Sequence, residues 1–264
     1  MNAPAVVRLS SLDEECYRRV ICYPRFVQAD FDQKISELAR LGIQSLSFRG
    51  ATNISGVPVL GKGCVGIVVT GYRNGELIAV KILRTDANRQ DFTHEAAMTS
   101  LANSVSVGAT LLCNAERILV TRYIDGLTIA RWLNEMEPSD VDVIKNALTH
   151  ILTDCYRLDQ IGLDHGELSQ ASKHIIIEKS GRATILDFES ASRYRRVANL
   201  TSVCQYLFLS AQLGERLRGF VQAESKNRII ETLKLYKRRP DLQTLKKVML
   251  TFGLDAGDST PTAT

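Results

Sequence analysis

The 264-residue chain has no CxxC pair, no apolar run long enough to cross a bilayer and no large excess of one charge. Its six cysteines, Cys16, Cys22, Cys64, Cys113, Cys155 and Cys204, are scattered, which points to buried reduced thiols rather than zinc ligands or disulfides. A membrane helix needs about 20 consecutive apolar residues, and without one no membrane partner is expected. No basic segment followed by an apolar stretch and a cleavage site opens the chain, so the expectation is a cytoplasmic protein. A formal charge of +4 is too mild to argue for nucleic acid by itself. What is present is ordinary: 45% hydrophobic and 23% charged residues, enough for a sizeable core in one two-lobed domain or two small ones.

One stretch organises the rest, Leu60 to Leu83, with the sequence LGKGCVGIVVTGYRNGELIAVKIL. Gly61, Gly63 and Gly66 allow a backbone turn to lie against phosphates where a Cβ would clash. Apolar residues flank a turn at Arg73-Asn74-Gly75, so two strands joined by a hairpin are expected. A period of two puts Ala79 and Lys81 on one face of the second strand, which suits a purine beside its phosphates. A dinucleotide site would need a helix straight after the glycines; a strand follows instead.

Residues 1–56 read as an extension packed on the first lobe, or as a dock for a partner. Val20-Ile21-Cys22-Tyr23 is a strand candidate, a helix starts at Asp30 as N-cap and ends at Gly42, and Ile43 to Phe48 is a strand. After the hairpin, Phe92 to Leu101 allows a helix carrying Glu95, fourteen positions beyond Lys81 and able to hold its ammonium. Thr110 to Cys113 and Arg117 to Thr121 add two strands. The connector Arg122-Tyr123-Ile124-Asp125-Gly126 exits the sheet, its backbone able to hydrogen-bond an adenine edge, as at Arg122 and Ile124, and Gly126 marks the break. The first lobe is therefore residues 57–125, and residues 126–254 form a helical lobe opening with a helix from Leu127. Between two such lobes a ligand cleft is expected. Residues 255–264 read as a disordered tail.

A second polar cluster lies in the helical half. His165-Gly166-Glu167-Leu168-Ser169 runs into a strand at Ile175-Ile176-Ile177, and Ala183 to Asp187-Phe188-Glu189 closes a hairpin. A hairpin that brings two carboxylates together can divide the work of base and metal ligand, and Mg²⁺ takes carboxylate and phosphate oxygens.

In order and spacing these motifs resemble the protein-kinase-like superfamily, in particular the small atypical archaeal predicted serine/threonine kinases, with likeness to the RIO and KEOPS-complex kinases. The likeness spans roughly Leu60 to Leu200. It implies an α+β, bilobal kinase-like fold with an antiparallel sheet and one helix in the first lobe and a mainly helical second lobe. It implies ATP and Mg²⁺ as cofactors. Gly61, Lys62, Gly63, Cys64, Val65, Gly66, Val68, Ala79, Lys81, Glu95, Arg122 and Ile124 would then bind nucleotide. Lys81, Glu167 and Asp187 would be catalytic, and Asp187, with His174, would bind metal.

Three positions depart from the pattern. Glu167 stands where an aspartate is usual, and a base must come within about 2.6–3.2 Å of the acceptor hydroxyl. The metal-binding asparagine is absent, and either Ser172 or His174 takes its place; imidazole is a poor Mg²⁺ ligand, so a hydrogen bond from His174 to a phosphate oxygen or to Glu167 is the other reading. Gly166 replaces an arginine that docks phosphorylated loops, which argues against that form of control. Arg193, Arg195 and Arg196 either meet phosphate on a substrate or are solvated. The main expectation is an atypical serine/threonine protein kinase that autophosphorylates. The alternatives are an ATPase-type switch or pseudokinase that binds a partner, and a small-molecule kinase. A protein substrate is expected, and RNA or a ribonucleoprotein is open as a partner.

Overall fold

The computed structural model describes residues 5–254, so the expected tail lies outside the described residues. Two compact units are present. Among the described residues, the first takes in 5–100 together with Ala109–Ile124, and the second Leu101–Gly108 and 125–254.

The first unit contains β1 (Ala5–Arg8), α1 (Glu15–Ile21), α2 (Gln28–Arg40), β2 (Ile43–Phe48), β3 (Thr52–Ile54), β4 (Val57–Val59), β5 (Gly61–Lys62), β6 (Gly66–Arg73), β7 (Glu76–Leu83), most of α3 (Thr93–Asn103), β8 (Leu111–Asn114) and β9 (Ile118–Arg122). Its main sheet is antiparallel in the order β1-β2-β6-β7-β9-β8, with β5 added alongside β6. Ile67, Val69, Ile78, Val80, Ile82, Ile118 and Val120 alternate inward and form one core with Ile21, Phe31, Leu38, Leu46 and Phe48. Residues 5–48 therefore contribute two strands to this sheet and two helices to its core.

The second unit is helix-rich. It contains β10 (Gly126–Thr128), α4 (Ile129–Asn134), α5 (Val141–Gln160), β11 (Ile175–Glu178), β12 (Ala183–Ile185), α6 (Asn199–Cys204), α7 (Ala211–Arg218), α8 (Lys226–Arg238) and α9 (Leu242–Thr251). Its core stripe on α5 runs through Ile144, Leu148, Ile151, Leu152, Cys155 and Leu158, all buried, at the spacing of an amphipathic helix. The fold is thus α+β, with an N-terminal antiparallel sheet and a mainly helical C-terminal half, and is consistent with a kinase-like chain.

Three local expectations are corrected. Val20 and Ile21 are not a strand but the last turn of α1, where Tyr17, Val20 and Ile21 share a helical face against the core. α2 begins at Gln28, so Asp30 lies inside it and pairs with Lys34 instead of capping it. Residues 126–128 form β10, hydrogen-bonded to β11, and the helix starts only at Ile129; three extended residues are too few for a period to show.

Candidate active site

Strand register builds the candidate site of the first unit. Val68 lies opposite Lys81 and Thr70 opposite Ala79 across β6 and β7, while Ala79 faces Thr121 and Lys81 faces Leu119 across β7 and β9. Opposed residues share a face, so Val68, Ala79 and Lys81 lie together on the side away from the core. Lys81 Nζ sits 2.8 and 2.9 Å from the two carboxylate oxygens of Glu95. Lys81 is only 9% exposed and Glu95 3%, and the ammonium is also 5.7 Å from the centre of the Phe92 ring. A buried pair of this kind must be well aligned to offset its desolvation, and both oxygens face the same nitrogen.

Gly66 is required by that lysine. A Cβ at 66 would stand 2.8 Å from Lys81 Cγ and 3.1 Å from Cε. Gly61 and Lys62 pair with Val68 and Ile67, and the turn closes with Gly63 N–H donating to Gly66 O at 2.9 Å. Arg84, a residue the sequence did not single out, buttresses this turn. Its Nη1 donates to Gly63 O at 2.7 Å and its amide to Val65 O at 2.9 Å. Asp86 holds the guanidinium at 2.8 and 2.7 Å and raises its pKa. Lys62 reaches the Tyr23 hydroxyl at 3.3 Å, Cys64 is exposed, and Val65 is buried against Leu83, Phe92, Ala96 and Leu119. The Arg122 amide donates to Thr110 O at 2.9 Å. Ile124 is half-buried.

The β11–β12 hairpin builds the candidate site of the second unit. Ile175 pairs with Ile185, and Leu186 N–H donates to His174 O at 2.8 Å, so the residues just outside the hairpin meet. Glu167 begins the turn Leu168–Lys173, and its Oε2 lies 2.9 Å from His174 Nε2. The other imidazole nitrogen is 3.9 Å from Asp187 Oδ2. Ser190 Oγ donates to Glu167 Oε1. Glu167 and Asp187 are each about one-third exposed, whereas His174 is nearly buried. Of the two candidates for the missing asparagine, His174 thus lies within ion-pair distance of both carboxylates.

Asp187 adopts φ +71°, in the sparsely populated left-handed region where a non-glycine residue is strained. Its carboxylate and that of Glu189 have oxygens within 4.8 Å of one another. His165 is buried, and its ring is 5.0 Å from that of Phe188. Its Nε2 lies 3.0 Å from Leu186 O, which makes Nε2–H the donor. Burial pushes the His165 pKa down, so it braces the loop as a neutral ring. Behind it, Asn199 Oδ1 accepts from His165 N–H at 2.8 Å, and Asn199 Nδ2 donates to Asp159 Oδ1 at 2.8 Å and to Leu163 O at 2.7 Å. Tyr236 O–H donates to Asp159 Oδ2 at 2.9 Å. This network ties the His165 loop to α5, α6 and α8. Its members are 77 residues apart in sequence and carry no motif.

No protein-family model matches the chain. Over 140 residues, 49% of this chain, it is 25% identical to a protein of Lactococcus lactis subsp. lactis (strain IL1403) described as "Probable serine/threonine-protein kinase PknB". The match covers 22% of that protein, so the chain spans well under two-thirds of its length.

Proposed function

We propose that the chain is an ATP- and Mg²⁺-dependent phosphotransferase of kinase-like fold acting on serine or threonine hydroxyls, its own included. The supporting observation is the buried Lys81–Glu95 pair under the Gly66 turn. An ammonium fixed by two oxygens beside a glycine turn is an arrangement for orienting phosphates. Val68 and Ala79 share that face and offer an apolar surface to a purine.

In the second unit Glu167 takes the acceptor proton as the hydroxyl oxygen attacks the γ-phosphorus, the bond to the bridging oxygen breaks and ADP leaves. Asp187 and Glu189 supply oxygen donors of the kind Mg²⁺ prefers. Bound there, the ion would neutralise charge on the phosphates. His174, whose Nε2 faces Glu167, fits a brace between carboxylates better than an ion ligand. Two departures from the family pattern then explain each other: the longer Glu167 side chain needs a second anchor, and the imidazole supplies it.

One feature favours a second reading, a nucleotide-dependent switch. Both Glu167 oxygens already have partners, Ser190 and His174. A carboxylate has about four lone-pair positions, so about two are left to accept from a substrate hydroxyl, and on the switch reading they stay unused. Incubation with γ-labelled ATP separates the readings. Label on the chain or on an added protein, lost in Lys81→Ala, Asp187→Ala and Glu167→Gln, supports the transferase. A thermal shift with MgATP and no transfer to protein or to small alcohols supports the switch.

A further inference from the structure

We propose that Arg195 is a positioning residue that locks the segment after Asp187 onto the loop carrying Glu167, so that a guanidinium of the chain itself holds the loop and no phosphate is needed. This role presupposes the phosphotransferase reading of Glu167.

Gly166 has φ +90°, and a Cβ there would stand 2.4 Å from Arg195 Nη2 and 3.0 Å from Ser190 O. The guanidinium therefore occupies the space that any side chain at 166 would need. From that position Arg195 Nε donates to Asp164 Oδ2 at 2.9 Å, and Nη2 donates to Ser190 O at 2.6 Å and Asp164 O at 3.4 Å. Asp164 Oδ1 accepts from Ala198 N–H at 3.1 Å. Asp164 and Ser192 exchange both backbone hydrogen bonds, at 2.9 and 2.8 Å. The grip reaches the base through Ser190, whose carbonyl is held by Arg195 and whose hydroxyl is held by Glu167.

Two of the three arginines that were candidates for a substrate phosphate thus have internal work. Arg196 Nη2 donates to Lys237 O at 2.9 Å, near the end of α8. Arg195 forms charge-assisted bonds to a carboxylate and two carbonyls, the kind of order a phosphate would otherwise impose on such a loop. A lysine cannot reproduce it, because the contacts use a planar fork. Arg195 is about half exposed, so solvent screening keeps its share of global stability small. The signature belongs in local order and turnover.

The experiment compares Arg195→Ala, Arg195→Lys, Gly166→Ala and the double variant Gly166→Ala/Arg195→Ala. Turnover of γ-labelled ATP is expected to fall by roughly 10–100-fold in kcat in Arg195→Ala, as for a displaced catalytic group, with KM for ATP within about twofold of the parent. Added guanidinium is expected to restore part of the rate to Arg195→Ala and none to Gly166→Ala, and the double variant to be no worse than Gly166→Ala alone. Amide exchange of Ser192 and Ala198 is expected to quicken in Arg195→Ala and Arg195→Lys alike, and phosphatase treatment of the parent to leave its rate unchanged. A full rate in Arg195→Ala, additive losses in the double variant, unchanged exchange, or a rate lost on phosphatase treatment would each overturn the proposal. A parent that turns over no ATP refutes the transferase reading, while the exchange result still decides whether Arg195 holds the segment.

Discussion

Lys81 sits in a place water scarcely reaches, and Glu95, buried more deeply still, presents both oxygens to it. Removing one partner of such a pair leaves the other charge in a low-dielectric site, at a cost of roughly 3–5 kcal/mol. Lys81→Met is therefore expected to lower the urea midpoint of unfolding as well as abolish transfer, and Lys81→Met/Glu95→Met to regain most of the stability and none of the activity. Equal destabilisation in the single and double variants would mean that the pair is not what the burial is built around. Asp154 offers a pH test at the same scale. Burial outweighs the nearby Arg157 and Arg182 and pushes its carboxyl up to about 6 from 3.8. The folded state then holds a proton that the unfolded chain has released, so this residue's contribution to stability is present below pH 3.8 and is lost as pH rises towards 6. Asp154→Asn is expected to raise the unfolding free energy at pH 7.5 by up to ~3 kcal/mol and to make little difference well below pH 3.8; a gain independent of pH would point to packing instead.

The β6–β7 hairpin shows what an element adds to its residues. Register alone sets Lys81 opposite Val68 and one step from Ala79, and Gly66 clears the path of the lysine stem. Gly66→Ala should push Lys81 aside rather than unfold the strand, so MgATP is expected to lose its thermal shift, while the unfolding free energy without nucleotide falls by no more than the roughly 3–5 kcal/mol that a fully broken Lys81–Glu95 pair would cost. A normal nucleotide shift would show that the lysine does not depend on that space. This hairpin was legible from sequence because a turn signal, an alternation and three glycines agree over 24 residues, and β11–β12 was legible for a similar reason. α1 was not, since Val20-Ile21 carries strand-like side chains and only the Tyr17 spacing indicates a helix. The partnership of Glu167 with His174 and Ser190 was half legible. Chain order offered His174 and Ser172 alike, and only the folded turn through Leu168–Lys173 sets the imidazole beside the carboxylate. Arg84 left no signal, and Arg195 was legible only as a phosphate partner or a solvated cation, because each acts on a backbone carbonyl and arginine at a surface is the commoner case.

At the scale of the whole molecule, residues 5–56 cannot be peeled from the first unit without opening its core. β1 and β2 carry the sheet past β6, and Thr70 Oγ donates to Ser47 O at 2.6 Å. Lys34 is fully buried on α2. It donates to Ile21 O at 2.9 Å and pairs with Asp30 at 2.6 Å, while Asp30 also holds Arg117 at 3.2 Å. The Glu37 carboxylate accepts the Arg117 amide at 2.8 Å. A single buried ammonium thus joins α1 to α2, and α2 in turn holds the turn before β9. Cys22, next to Ile21, is a built-in reporter: it is fully buried and its thiol is pushed up to about 11, chiefly by burial, so it should resist alkylation in the intact chain. Lys34→Ala leaves Ile21 O and Asp30 facing a cavity and is expected to expose Cys22 to iodoacetamide, read by mass spectrometry of its peptide, with amide protection lost across β2 and β6 before it is lost across α5. A chain lacking residues 1–56 is expected to lose protection throughout the first unit and its MgATP shift, while α5 and α8 stay protected. Should that shortened chain still bind nucleotide with β6 and β7 protected, the N-terminal segment would be an accessory to the sheet and the buried lysine a local anchor only.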